Sequence, residues 1–306
     1  MKLGIASHIV IDSIIDSEGT EIESLGGPAC YASVMAKTFK VDVALFTKVG
    51  KDISDKEKFL KENDILIKDE QIDEKNPTTR FQLLLDKDGG RKLFLLSKCS
   101  PISISYQDAS NLDGLILSPV MDEIPNDVFR HFDKAKKDKF VMLDPQGFLR
   151  FCSDETLSIS NKKQLDLDIK GITAIKTDEE ELSALTKGIT CVEGMRLLQK
   201  KYCLEFVIST GNNKVLFLNK NTLYTLSFGQ ISSPDCTGLG DILTSGFTCS
   251  YLKEKDPLWA FCFGAGAVVA SLNSKKRGLE KVPRKMNLIE RDASYFYNTT
   301  KFKILD

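Results

Sequence analysis

The chain has 306 residues, 42% of them hydrophobic and 28% charged, with 42 Lys plus Arg against 43 Asp plus Glu and a formal net charge of −1. That length buries a full core in one large domain or two ordinary ones, which excludes a small stapled scaffold. The charge balance excludes a whole-chain basic field for nucleic acid or an anionic membrane, so the expected partner is a small molecule.

In chain order, strand-like apolar runs occur at Leu3–Ile11, Val41–Phe46, Leu112–Leu117, Phe140–Leu143, Ile172–Ile175 and Phe206–Ser209. Helical spacing of three to four residues lies between them: Ala32, Met35, Ala36 and Phe39; Val128, Phe129, Phe132 and Ala135; Val192, Met195 and Leu198. Strands alternating with helices predict βαβ units and a mainly parallel sheet. One segment breaks the alternation. Thr78–Leu85 and Lys92–Leu96 are joined by Asp86-Lys87-Asp88-Gly89-Gly90, a hairpin signal that predicts a small antiparallel flap. The basic stretch Lys134–Lys139 reads as a solvated helix end. No repeat or long linker divides the chain, so residues 1–306 are expected to form a single α/β domain.

Eight cysteines stand singly with no C-x-x-C, and His8 and His131 are the only histidines, which leaves almost nothing from which to build a zinc site or a His triad. Asp12 and Asp16 interrupt the N-terminal apolar run before it could serve as a secretory segment. The fifteen residues Leu258–Leu272 fall short of the ~20 a spanning helix needs. A cytoplasmic protein is expected.

The most informative stretch is Asp235-Cys-Thr-Gly-Leu-Gly-Asp241. Gly238 and Gly240 permit unusual backbone angles, and from Leu239 onward the pattern is helical, so the glycines precede a helix N-terminus. Such a terminus presents unpaired N–H groups and about half a positive charge, which suits a phosphoryl group in transit. Asp241, in the first turn, could accept the proton of an attacking hydroxyl. On spacing alone, a capped helix with an aspartate answering its dipole accounts for the same residues.

This stretch resembles the D-T-x-G-A-G-D signature of the ribokinase, or PfkB, carbohydrate kinases, departing at Cys236 and Leu239. The resemblance implies a ribokinase-like fold, a three-layer αβα arrangement with a small antiparallel β lid from residues 11–25 and 76–103. It implies Asp241 as catalytic base, with the amides of Gly238, Leu239 and Gly240 as the anion hole. Leu25-Gly26-Gly27-Pro-Ala-Cys-Tyr31 is similar to the family's G-G-x-x-x-N motif with Tyr31 in place of Asn, which makes Gly26, Gly27 and Tyr31 substrate-side residues; as residues alone they are equally a strand-to-helix turn. Asp12 stands where the family carries a substrate-binding Asp.

Thr177-Asp178-Glu-Glu-Glu181 resembles the N-x-x-E motif, which implies Asp178 and Glu181 near Mg²⁺, although acidic residues in a first helical turn are also ordinary dipole partners. Ser209-Thr210-Gly211 resembles a nucleotide-site motif, and the small-residue helix Gly264–Asn273 resembles the one beside adenine. Thr210, Gly211 and Asn273 are thereby cofactor-side, with ATP as donor. Asp144-Pro-Gln146-Gly-Phe-Leu-Arg150 and Ser100-Pro101 look most like the archaeal myo-inositol kinase branch, with Gln146 and Arg150 toward substrate. The resemblance implies a sugar or polyol acceptor and admits a homodimer through the lid. A nucleoside kinase, with Tyr31 stacking on a base, and a non-catalytic binder of the same fold are the alternatives. A nicotinamide enzyme and a P-loop kinase lack their glycine motifs.

Overall fold

The first apolar run does not form one strand. In the computed structural model, which describes residues 1–85, 91–129, 139–153, 156–159, 171–189, 191–211, 213–229, 231, 233 and 235–306, strand β1 (Lys2–Ala6) ends early, and β2 (Val10–Ile15) belongs to a different sheet. The crossing is pinned at buried His8. Its ring bridges Thr79 Oγ1 (2.8 Å) and the Ser100 carbonyl (2.9 Å), and its backbone N–H donates to Glu123 Oε1 (3.1 Å). Asp12, which directly follows the apolar run Leu3–Ile11, therefore sits inside a strand of the second sheet.

The main sheet has nine strands in the order β4 (Asp42–Phe46), β1, β9 (Gly114–Leu117), β10 (Phe140–Leu143), β13 (Ala174–Asp178), β14 (Phe206–Gly211), β15 (Lys214–Asn219), β16 (Thr222–Ser227), β17 (Lys301–Ile304). The first six run parallel and the last three are antiparallel additions. Strands β9 and β10 are buried along their whole length, as parallel strands covered on both faces must be.

One face is covered by helices α1 (Pro28–Thr38), α7 (Leu239–Glu254), α8 (Pro257–Asn273) and α9 (Met286–Thr299), whose core residues pack against Leu3, Ile5, Ile116, Met142 and Ile208. Leu60 of α2 (Glu57–Glu62) joins that core. The other face carries α3 (Tyr106–Ser110), α4 (Gln146–Leu149), α5 (Glu179–Leu185) and α6 (Cys191–Tyr202) against Ala6, Leu115, Leu117, Val141, Leu143 and Val207. This is the expected three-layer αβα arrangement. The small residues of α8 serve helix packing: a Cβ on Gly264 would lie 2.8 Å from the Leu243 carbonyl of α7.

The lid is a six-stranded sheet ordered β11 (Arg150–Ser153), β12 (Thr156–Ile159), β8 (Arg91–Ser97), β7 (Thr79–Leu85), β2, β3 (Glu21–Gly26). It is larger than a hairpin flap and not purely antiparallel. β2 and β7 pair in parallel, because the chain between them crosses through α1 and β4 and returns in the same direction. The pair β5 (Val49–Gly50) and β6 (Ile72–Asp73) stands apart. The hairpin turn Asp86–Gly90, part of the helical pattern at Val128–Ala135, His131 and most of Lys134–Lys139 lie outside the described residues.

Candidate active site

Between the lid sheet and the carboxyl ends of the parallel strands lies a cavity of about 190 Å³. Seven of the expected residues line it: Asp12, Gly27, Tyr31, Gln146, Arg150, Gly238 and Asp241. They come from both ends and the middle of the chain. In open parallel sheets this crevice is the position for ligands.

The floor is the N-terminus of α7. Gly238 caps it in the left-handed conformation (φ 73°, ψ 6°), where a side chain would be strained and a Cβ would collide with the Tyr31 ring. The amides of Leu239, Gly240 and Asp241 are the first of the helix, with no carbonyl one turn earlier to accept them. Leu239 turns its side chain to the core, so its bulk does not enter the cavity. The approach to the turn is tied by Asp235, whose Oδ1 accepts the Thr237 N–H (2.8 Å).

Asp241 is buried at the cavity wall. Burial raises its pKa to about 7; nearby Asp144 adds to the rise, Lys176 and Arg150 oppose it, and Asp12 raises it further. Asp12 is also pushed up to about 7, first by burial, with Arg150 pulling it down and Asp235 pushing it up. Its Oδ2 sits where a Cβ on Gly26 would fall, which places Gly26 against the carboxylate. Across the cavity, Arg150 donates to the Val120 carbonyl (2.8 Å) and to Gln146 Oε1 (3.0 Å), and its guanidinium lies 5.5 Å from the Phe81 ring centroid. Arg150 is thus fixed in place by a lid residue, a loop and the helix that precedes it. Val120 is itself held, since its N–H donates to Glu123 Oε1 (2.8 Å).

Tyr31 lines the cavity as part of its wall. It is 1% exposed, with Gly238 against its ring and the Lys281 ammonium 5.4 Å over it, so it walls the cavity and has no open face for stacking a base. Asp178 and Glu181 do come together, as a reciprocal cap of α5: Glu181 Oε2 accepts the Asp178 N–H (2.8 Å), and Asp178 Oδ1 accepts the Glu181 N–H (2.7 Å). Among the described residues no group of three or more His, Cys, Asp or Glu is disposed to hold a metal. Thr210 and Gly211 end β14 next to Asp178, with Gly211 against the Glu179 side chain, and Asn273 is exposed at the end of α8. None of these three lines the cavity.

Sequence reading missed Lys176. It is buried on β13, its Nζ pairs with Asp144 Oδ2 (3.0 Å), and a Cβ on Gly240 would stand 3.0 Å from that Nζ. Burial works against its charge, but Asp144, Glu181 and Asp241 outweigh it and raise its pKa, so the ammonium is a fixed cation beside the helix N-terminus. The available signal was a lysine directly after the strand-like run Ile172–Ile175, where the strand continues.

Residues 8–283 match the model of the pfkB family carbohydrate kinases. The chain belongs to the PfkB family. As a PfkB protein it is a phosphotransferase with an alcohol group as acceptor. No individually curated protein matches it. Among solved structures it is similar to a pyrophosphate-dependent myo-inositol-1 kinase converted into a myo-inositol-3 kinase by two substitutions (21% identity, 96% of this chain and 99% of that one, TM-score 0.75). It is likewise similar to a nucleoside kinase of Methanocaldococcus jannaschii (18%, 96% and 98%, 0.71) and to the ribokinase of Arabidopsis thaliana complexed with ribose and ATP (17%, 95% and 98%, 0.72). These likenesses establish the PfkB fold. Among the described residues no helix is long and apolar enough to cross a membrane.

A base that must be ionised gives a pH dependence of known sign. If Asp241 is the base that the sequence resemblance implies, then with Asp241 and Asp12 both at about 7, kcat/KM for the acceptor is expected to rise from pH 6 to pH 8 with its midpoint near 7. A flat profile over that range, measured by initial rates, would contradict the assignment of Asp241 as base.

Proposed function

We propose that the protein transfers the γ-phosphoryl group of ATP, with Mg²⁺, to one hydroxyl of a small polyol, and that a compact cyclic polyol such as myo-inositol is the best-fitting acceptor. The single observation that carries this reading is the arrangement of Asp241 and the open helix N-terminus on one side of a cavity, with Asp12 and Arg150 on the other. At about 190 Å³ the cavity is smaller than the usual ~300–1,000 Å³ of ligand pockets, which favours a monosaccharide-sized acceptor over a nucleoside. The enclosed Tyr31 ring also removes the stacking platform a nucleoside would use.

In this reading Asp12 accepts hydroxyl hydrogen bonds from the acceptor, and the Arg150 fork donates to a further oxygen. The reacting hydroxyl lies against Asp241, which takes its proton as the oxygen–phosphorus bond forms and the bond to the departing diphosphate breaks. The amides of Leu239 and Gly240 and the Lys176 ammonium stabilise the charge on the transferring group. Mg²⁺ would neutralise the donor phosphates, held mainly by them and by water. Asp144, paired with Lys176, and Glu181 are the carboxylates that act on this cluster, and the reciprocal cap of Glu181 with Asp178 fits a role through water better than direct ligation.

The test is turnover with ATP or pyrophosphate and Mg²⁺ across myo-inositol, ribose, fructose, 2-keto-3-deoxygluconate, adenosine and cytidine. The proposal expects one polyol or sugar to be phosphorylated at the expense of ATP. Turnover of a nucleoside alone would replace the acceptor class, and turnover with pyrophosphate alone would replace the donor. Asp12→Ala should raise the acceptor KM at least tenfold, about the worth of one lost charge-assisted hydrogen bond, with a smaller change in kcat. A loss confined to kcat would contradict its binding role.

A further inference from the structure

One buried charge near the cavity takes no part in the chemistry so far described. Lys281 ends the short turn Gly278–Lys281 and is 1% exposed. Its Nζ pairs with Asp235 Oδ2 at 2.8 Å, approaches the Asp235 carbonyl at 3.3 Å, and lies 5.4 Å over the Tyr31 ring. The Asp235 carboxylate also accepts the N–H of Thr237 and of Gly278, each at 2.8 Å. Burial works against ionisation of Asp235, but Lys281 and these two amides outweigh it and hold its carboxyl below the usual range. A single ammonium therefore touches both walls of the cavity: through Asp235 the segment that leads into Gly238, and directly the ring that packs on Gly238.

We infer that Lys281 is a positioning residue for phosphoryl transfer, a tethered cation that fixes the Asp235–Gly238 turn against Tyr31 so that the α7 amides and Asp241 face the acceptor. This rests on the kinase reading given above. The physical case is that a buried carboxylate deprived of its cation seeks water or another proton, and the turn it braces moves with it. Displacements of about 1 Å at groups that orient a reaction cost about 10²-fold in rate. A lysine that merely filled space would leave that geometry alone.

The test uses Lys281→Ala, which leaves room for a small amine. The expected result is a kcat about 10²-fold lower with acceptor KM within about threefold. Ethylammonium should restore kcat at least tenfold, and sodium chloride at matched ionic strength should not. Hydrogen exchange at the Thr237 and Gly278 amides should quicken in the variant and slow again with the amine. The double variant Asp235→Asn/Lys281→Ala removes the unpaired charge and so keeps the fold, but should show no amine rescue. The inference is overturned if folded Lys281→Ala keeps kcat within twofold, if activity is lost only in proportion to unfolded protein, or if the double variant is rescued equally well. Absence of any turnover in the wild-type protein would instead sink the kinase reading, and the exchange measurement would still decide the role of Lys281.

Discussion

Replacing Asp241 by Asn is expected to lower kcat by about 10²–10⁴-fold, the usual worth of a positioned general base, with the fold and acceptor binding intact. The amide has the carboxylate's shape and stays beside the α7 amides, but it cannot take a proton. The same substitution should stabilise the protein in a pH-dependent way. A carboxylate titrating at about 7 in the folded protein and at about 3.9 in the unfolded chain stabilises the fold fully only below the lower value. That contribution is lost as pH rises through 7. Asn never ionises, so the variant should melt above the wild-type protein at pH 8, and the difference should shrink toward pH 5. Initial rates and melting curves at the two pH values check both halves. Near-normal turnover would remove Asp241 from the chemistry, and a lower melting temperature at pH 8 would contradict the buried carboxylate with a raised pKa.

The parts of this site that could be read from sequence are those whose geometry is local. Gly238, Gly240 and Asp241 fall within four residues, and the left-handed cap they need is written in the glycine itself. Asp178 and Glu181 were visible for the same reason, but local spacing fits both a metal pair and a cap, and the structure places them in a reciprocal cap. What was illegible depends on the crossing of distant segments. Nothing near Lys176 in sequence says that β13 will bring it beside Gly240, and nothing near Lys281 says that Asp235 will cover it. The break at Ser7–Ile9 was hidden because Ile9, Val10 and Ile11 resume the apolar pattern directly after Ser7 and His8; the partners of His8, at Thr79, Ser100 and Glu123, are what hold the chain as it passes into a second sheet. The parallel pairing of β2 with β7 escaped for the same reason, since a hairpin signal reports its own two strands and not the third beside them.

Lys176→Met should be the second most damaging change, because it removes the cation at the α7 N-terminus and unbalances the carboxylates around it. Loss of one fixed electrostatic stabiliser lowers kcat by about 10²–10³-fold. Lys176 is also one of the groups that holds the Asp241 pKa down, so the midpoint of the kcat/KM profile should move above 7. Stripping one partner from the buried Asp144–Lys176 pair costs about 3–5 kcal/mol, and the single variant is expected to melt early. The double variant Asp144→Asn/Lys176→Met separates these effects. It removes the uncompensated carboxylate and with it the first charge that raises Asp241, so stability should recover and the midpoint should return to 7 or below. kcat should stay low, because no ammonium then stands beside Gly240. A double variant that regains wild-type kcat would reduce Lys176 to a structural partner of Asp144, whereas one that is stable and slow places its charge on the transferring group.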